Sequence, residues 1–366
     1  MKLSELSRVG RALALVCIVV VLIALLLALA EGAVRLREFI KYGYSGGVEK
    51  QLVVDAVTGL RIPIPLSHDG PIRINSLGFR GPEITVPKPA GTIRIAFIGA
   101  STTFCAEVSS NAATWPEIVT GQLRQRFPGV RFDYVNSGVP GYGLTQMRMT
   151  LSKRVAALQP DIIVIYEATN ALSGNSYDLA VQQGVISKRP DKERSWLSGY
   201  SLLYRLIELN LTIKSRQDRV EQKSGKLRVD LAALARPYRA DLRTLVAEAR
   251  AVAPVVAVVT FATQYRRGQP HDAQLKAAET SLYYMPYMTI SGLLDSFDAY
   301  NAVMRDVARE SGAVLIAGED QIPGNPANFT DSVHFTDAGS RAQALRVSGV
   351  LQSAPEIVDL VRRTSQ

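Results

Sequence analysis

Four segments of the sequence carry residues of the types used in acyl transfer. Ser101 supplies a hydroxyl, and His334 follows Asp331 by three positions near the C-terminus. A serine hydroxyl is a weak nucleophile unless a base removes its proton, and a carboxylate can orient that base and stabilise its charged form. The amide of Gly141 and the carboxamide of Asn170 could bind the oxyanion of a tetrahedral intermediate. Together these residues predict an acyl transfer through serine.

Each of these residues alone also has a purely structural explanation. Ser101 could cap a helix, Gly141 could permit a turn with positive φ, and Asn170 could form an Asx-turn. A single histidine such as His334 is more often structural than catalytic. However, all of them occur in order at the ends of predicted strands and in a late loop, and ligands bind beyond the carboxyl ends of parallel strands. Their joint occurrence favours the catalytic interpretation.

Buried strands alternate with amphipathic helices over the region that contains these residues. Continuous apolar runs predict the strands, and apolar residues at helical spacing predict the helices. The predicted strands cover 92–98, 131–135, 162–166, 254–260 and 313–316, and the predicted helices cover 115–127, 145–158, 238–252, 297–311 and a last segment from about 336. Parallel strands covered on both faces by helices have this pattern, so we expect a three-layer α/β fold.

The order of these motifs resembles that of the SGNH, or GDSL-type, hydrolase superfamily over about 95–350. A Gly-Ala-Ser turn at Ser101, glycine-rich and asparagine-containing loops after the next two strands, and Asp331-x-x-His334 match its blocks. The resemblance implies a flavodoxin-like SGNH fold and a serine ester hydrolase without metal or cofactor. It implies that Ser101 is the nucleophile, His334 the base and Asp331 its orienting carboxylate. The amides of Ser101 and Gly141 and the side chain of Asn170 would then form the oxyanion hole.

Three alanines depart from the family's motifs. Ala100 replaces the Asp of Gly-Asp-Ser, Ala168 replaces a Gly, and Ala171 replaces an Asp that helps to brace the nucleophile turn. The changes at Ala168 and Ala171 keep a non-catalytic glycan-binding or assembly protein as an alternative.

The stretch 75–80 resembles a lead-in of membrane-anchored bacterial members of the family, which are often encoded with surface-polysaccharide genes. That resemblance implies an O-acyl ester on a cell-surface glycan as the substrate. An O-acyltransferase that uses the same residues is a further alternative, because both reactions pass through an acyl-serine.

The N-terminal part of the sequence predicts a membrane span. Residues 12–30 contain no charged or strongly polar side chain, and at 1.5 Å per residue they almost cross the ~30 Å hydrocarbon core of a bilayer. A cleavable signal peptide is the alternative, since Ala28-Leu29-Ala30 fits a cleavage site, although the run is longer than usual for a signal. Either interpretation places the main domain outside the cytoplasm. We expect a single-pass protein of the cell membrane, with a periplasmic domain if the cell is Gram-negative.

These patterns predict a domain organisation. We expect a cytoplasmic N-terminus at 1–11, the transmembrane anchor at 12–30, a juxtamembrane and accessory segment at 31–90, and a hydrolase-like domain at 91–366 with an insertion at about 171–236. The insertion is rich in basic residues, which fits either a solvated face or a lid or membrane-surface element.

Composition excludes several classes of protein. With 47% hydrophobic and 20% charged residues, the chain can form a packed core, which excludes disorder over most of its length. Two cysteines and three widely spaced histidines supply neither a disulfide framework nor a His-based metal cluster. The net charge of +9 favours anionic surroundings. Because the sequence carries no nucleic-acid-binding motif, we expect the membrane and an ester substrate as partners, and no nucleic acid.

Overall fold

The computed structural model describes residues 8–42, 52–187, 195–222 and 226–365. The chain divides into two compact units, one of 1–47 with 189–214 and one of 48–188 with 215–366. Within the described ranges, helices α1 to α12 span Arg8–Tyr42, Ser101–Phe104, Trp115–Arg126, Leu144–Thr150, Thr169–Gln182, Leu202–Gln222, Leu231–Val252, His271–Ala277, Glu279–Tyr284, Ile290–Ser311, Asp337–Leu351 and Pro355–Thr364. Strands β1 to β9 span Leu52–Val54, Arg61–Pro63, His68–Asp69, Ile72–Arg73, Thr92–Gly99, Arg131–Asn136, Ile162–Tyr166, Val255–Val259 and Val314–Ile316.

A parallel sheet forms the centre of the second unit. Among the described residues its strands follow the order β6-β5-β7-β8-β9, and all neighbouring pairs are parallel. The register places Phe97 of β5 opposite Asn136 of β6 and Val164 of β7. Every residue of β5, β7 and β8 is buried. Since successive side chains point to opposite faces, both faces of the sheet are covered, which confirms the predicted three-layer α/β fold.

Helices and aromatic side chains fill the two outer layers of this unit. Helix α3 packs against α11, and α7 packs against α5 and α10. The ring of Phe97 meets Trp115 edge-on at 5.0 Å, and Tyr166 stacks on Phe261 at 4.8 Å. These contacts join the central strands to the helical layer and to the loop after β8, so the strand ends that carry the predicted site residues are firmly held.

Two predicted helix starts were wrong. Helix α7 begins at Leu231 rather than 238, because the side chain of Asp230 accepts from the amide of Ala233 and the helix continues through Pro237. Helix α10 begins at Ile290 rather than 297. Helices α5 and α6 lie largely within the predicted insertion, and their bounds were not predicted.

The first unit contains the apolar helix. Residues 12–40 of α1 are long and apolar enough to cross a membrane, a test that a signal sequence near the N-terminus also passes. The large apolar side chains of its 12–30 part are largely exposed. Exposed apolar side chains on all sides of such a helix are typical of both a membrane span and a signal sequence.

Candidate active site

The turn that carries Ser101, the predicted nucleophile, begins where β5 ends. Ser101 is the first residue of the four-residue helix α2. Two glycines allow this turn to lie close to its neighbours: a Cβ at Gly99 would lie 2.0 Å from Oγ1 of Thr103, and a Cβ at Gly138 would lie 2.4 Å from the amide nitrogen of Phe104. A side chain at either glycine would therefore displace the turn that carries Ser101.

Three predicted site residues meet in one hydrogen-bonded series. Nε2 of His334 lies 2.8 Å from Oγ of Ser101, and Nδ1 of the same ring lies 2.8 Å from Oδ2 of Asp331. The other carboxylate oxygen, Oδ1, accepts from the amides of Val333 and His334, each at 2.9 Å. These amides fix the carboxylate, and the carboxylate in turn fixes the ring, so that Nε2 faces the hydroxyl.

The surroundings of this series change the proton affinity of two of its groups. Burial alone would raise the pKa of Asp331, but bonding to the His334 ring and to two amides holds that pKa below its usual value. Burial alone would lower the pKa of His334. The negative charges of Glu107, Asp331 and Glu167 outweigh burial and raise that pKa to about 9. The site therefore stabilises the imidazolium that a general base must form.

The predicted oxyanion donors follow three neighbouring strands, β5, β6 and β7. The amide of Ser101 is at the first position of α2, where an N–H has no acceptor within the helix. Gly141 has φ of +82°, a conformation that favours glycine. The carboxamide of Asn170 donates to the carbonyl of Tyr142 at 2.9 Å, which joins the start of α5 to the loop after β6. A carboxamide has two N–H groups, so Asn170 retains a second donor for a ligand.

Three side chains brace the turn that carries Ser101, a role that was not predicted from the sequence. Nδ2 of Asn136 donates to the carbonyl of Thr103 at 2.9 Å, and the indole of Trp115 donates to the carbonyl of Thr102 at 3.0 Å. The buried guanidinium of Arg80 donates to the carbonyl of Phe104 at 3.0 Å and to that of Cys105. Together these bonds hold the turn although Ala171 supplies no carboxylate. The detectable signal was a polar side chain at the end of a buried strand, as at Asn136.

A buried carboxyl beside the site was also missed. Glu167 is the first residue after β7, and its Oε1 accepts from the amide of Asn170 at 2.6 Å. Burial raises the pKa of Glu167 to about 8, against the opposing effects of the amides of Asn170 and Ala171 and of the His334 charge. Glu167 thus holds the start of α5 and contributes to the field at the histidine.

The described ranges contain no group of three or more His, Cys, Asp or Glu side chains placed to hold a metal ion. The polar groups gathered at this edge of the sheet are a hydroxyl, an imidazole, carboxylates and amides. Their arrangement suits nucleophilic attack on a carbonyl carbon.

Comparison with known proteins gives a family match over more than half of the chain. The model of the GDSL-like Lipase/Acylhydrolase family matches residues 97–342. Among solved structures, the chain is similar to Axe2, an acetylxylan esterase from Geobacillus stearothermophilus, with 16% identity, a TM-score of 0.43, and coverage of 73% of this chain and 97% of that chain. It is also similar to LAE5, an alpha/beta hydrolase from the metagenome of Lake Arreo, Spain, with 16% identity, a TM-score of 0.42, and coverage of 72% and 96%. No curated protein matches the chain.

Proposed function

The chain belongs to the GDSL-like lipase/acylhydrolase family, and on that premise we propose that it is a membrane-anchored esterase whose nucleophile is Ser101. Membership of the family makes it a serine ester hydrolase. The observation that carries the assignment of residues is the series Ser101–His334–Asp331, with both bonds at 2.8 Å. Hydroxyl, base and orienting carboxylate then have the roles that acyl transfer requires.

Acylation follows from this geometry. The hydroxyl proton of Ser101 passes to Nε2 of His334 as Oγ attacks the ester carbonyl carbon. The negative charge that develops on the carbonyl oxygen is bound by the amides of Ser101 and Gly141 and the carboxamide of Asn170, and one such donor typically contributes about 3 kcal/mol to the barrier reduction. The imidazolium then protonates the leaving alcohol oxygen, and an acyl-serine remains.

Deacylation repeats these steps with water as the nucleophile. His334 accepts a proton from the water, the oxyanion forms again in the same donors, and the carbonyl re-forms as the bond to Oγ of Ser101 breaks. The proton returns to Oγ and the carboxylic acid leaves. The hydroxyl of Ser101 and the ring of His334 therefore serve both half-reactions without a cofactor.

The substrate in this proposal is an O-acyl group on a cell-surface glycan, and the site faces the extracytoplasmic side. The apolar part of α1 supports an anchor, since it is exposed and long enough to span a bilayer. The resemblance of residues 75–80 to the lead-in of membrane-anchored members supports a glycan. A single-pass anchor would hold the hydrolase next to polymers at the membrane surface.

The test uses the full chain in detergent with a fluorophosphonate probe, nitrophenyl acetate and a panel of O-acetylated oligosaccharides. We expect the probe to label Ser101 and acetate to be released from at least one oligosaccharide. Ser101→Ala should lose labelling and reduce kcat by about 10³-fold or more. Ser152→Ala removes an exposed serine hydroxyl on the segment after α4 and serves as the matched control.

The possible outcomes separate the alternatives. Labelling of Ser101 without hydrolysis, followed by transfer when a sugar acceptor is added, would indicate an acyltransferase. A folded wild-type protein that shows neither labelling nor turnover would contradict the proposed nucleophile and favour a binding protein. Turnover of nitrophenyl acetate but of no oligosaccharide would support Ser101 as the nucleophile and contradict the proposed glycan substrate.

A further inference from the structure

A pair of aromatic side chains projects from the first unit. In the turn Trp196–Gly199 and the residue after it, Trp196 is 73% exposed and Tyr200 is 75% exposed. Their rings meet edge-on at 6.0 Å, and Leu197 beside them is also exposed. Contiguous exposed apolar side chains of this size mark a surface that meets something else.

The turn that carries this pair is held by hydrogen bonds at both ends. The amide of Ser195 donates to Glu208 of α6 at 3.2 Å, and the hydroxyl of Ser198 bonds to the same carboxylate. The carbonyl of Tyr200 accepts from Arg35 of α1 at 3.2 Å. The aromatic pair is therefore exposed on a turn whose conformation is fixed by hydrogen bonds.

Glu31 fixes this turn at one end of the apolar stretch of α1. Its carboxylate accepts from the hydroxyl of Ser201 at 2.8 Å and from the amides of Leu202 and Leu203 at 3.0 and 2.9 Å, and so caps α6. Glu31 is the first charged residue after the apolar run 12–30, and Arg35 lies about one turn, ~5.4 Å, further along α1. If α1 spans a bilayer, the aromatic pair lies where hydrocarbon gives way to headgroups.

An apolar groove continues from the turn towards the apolar run. It has a volume of about 460 Å³, and its walls include Leu27 and Ala28 of α1 and Leu203, Tyr204 and Ile207 of α6. Leu27 and Ala28 belong to the stretch that would lie in hydrocarbon. The occupant that matches both the apolar walls and this depth is the acyl chain of a membrane lipid.

From these contacts we infer that segment 195–207 is an interfacial membrane element, which rests on the proposed anchoring by α1. Trp196 and Tyr200 lie at the headgroup level, where amphipathic aromatic rings are favoured. A lipid acyl chain fills the groove between α1 and α6. The protein thus contacts the bilayer through α1 and through segment 195–207, and the hydrogen bonds of Glu31 join these two elements.

Tryptophan fluorescence tests this inference directly. The chain has two tryptophans, and Trp115 is completely buried in the second unit. The full chain is reconstituted into phosphatidylcholine–phosphatidylglycerol vesicles that carry brominated lipids with bromines at shallow or deep positions of the acyl chain. We expect shallow bromines to quench the wild type more strongly than deep ones. Trp196→Phe, which leaves Trp115 as the sole emitter, should show no bromine quenching.

Two further measurements separate failure of the anchor from failure of the inference. Loss of the protein from vesicles after carbonate extraction would refute the anchor. Retention in the vesicles with Trp196 quenched only by aqueous iodide would overturn the interfacial element and leave the anchor intact. Glu31→Ala removes the cap and should reduce bromine quenching by roughly twofold, whereas Glu38→Ala, two turns along α1, should not. Equal quenching in both variants would refute the role of Glu31.

Discussion

His334 carries the pH dependence of the proposed mechanism. A general base must be neutral, and the pKa of this ring is raised to about 9 because the surrounding carboxylates outweigh the effect of burial. We therefore expect kcat/KM to rise with pH along a limb centred near 9 rather than near the usual histidine value of ~6.5. The stability contributed by the charged ring is fully present below ~6.5 and is lost as pH rises through about 9. Rate profiles and thermal unfolding across this pH window measure both effects.

Among the groups that raise the pKa of His334, the negative charge of Glu107 has the largest effect. Glu107→Gln removes a negative charge and leaves a side chain of similar size, so the imidazolium loses part of its stabilisation. We expect the limb of kcat/KM to move to lower pH by roughly 0.5 to 1 unit, where each unit corresponds to about 1.4 kcal/mol. Glu356→Gln, an exposed change in α12, is the control. An unmoved limb in Glu107→Gln would show that another charge dominates.

Glu167 holds Asn170, one of the proposed oxyanion donors. Its carboxyl accepts from the amide of Asn170 at 2.6 Å, so Glu167→Ala should free the start of α5 and misplace the carboxamide. We expect kcat/KM to fall by about tenfold, which corresponds to ~1.4 kcal/mol of transition-state stabilisation. Glu167→Gln keeps an acceptor oxygen and, below pH about 8, matches the neutral carboxylic acid of the wild type in shape and charge. It should restore most of the rate, and if Gln and Ala were equally impaired, a positioning role through this hydrogen bond would be excluded.

At the scale of elements, the bracing of α2 depends on the accessory segment. Arg80 lies just after the β3–β4 hairpin, and its guanidinium donates to the carbonyls of Phe104 and Cys105 and, through Nε, to Asn111 at 2.9 Å. An ammonium cannot reproduce this planar set of donors. Arg80→Lys should therefore destabilise the fold by about 1–3 kcal/mol and slow fluorophosphonate labelling of Ser101.

The control for this prediction is Arg73→Lys, an exposed change in the same segment. Thermal unfolding and the labelling rate are measured on both variants. If Arg80→Lys lost stability but was labelled at the wild-type rate, the guanidinium would support the fold without positioning Ser101.

Strands were easier to predict from sequence than helix starts. Continuous apolar runs such as Ile162–Tyr166 coincide with buried parallel strands, because both faces of this sheet are covered. Helix α7 instead continues through Pro237, although a proline inside a helix removes a backbone donor and favours a break. The side chain of Asp230 caps the helix at its actual start and favours the longer helix. Tertiary packing decides such boundaries, and the spacing of apolar residues in one chain does not contain that information.

The site likewise contains residues that a sequence motif predicts and residues whose role depends on contacts made only in the folded chain. Ser101, His334 and Asp331 were found because their order along the chain matches known motifs, and they are joined by hydrogen bonds in the structure. Arg80 and Glu167 were not assigned to the site. Their importance arises from contacts with backbone groups, and backbone partners leave no pattern of residue types in a sequence.

At the scale of the whole molecule, long-range contacts argue that α1 is retained. Leu27 and Ala28, which precede the possible cleavage site, form part of a groove with Leu203, Tyr204 and Ile207 of α6. Cleavage after Ala30 would remove one wall of that groove. We therefore expect the purified protein to have the intact mass of the full chain, and Ala30→Leu, which destroys the small-x-small site, to differ only by the substitution. A wild-type protein that begins at Glu31, together with an uncleaved Ala30→Leu variant, would instead identify the helix as a signal peptide.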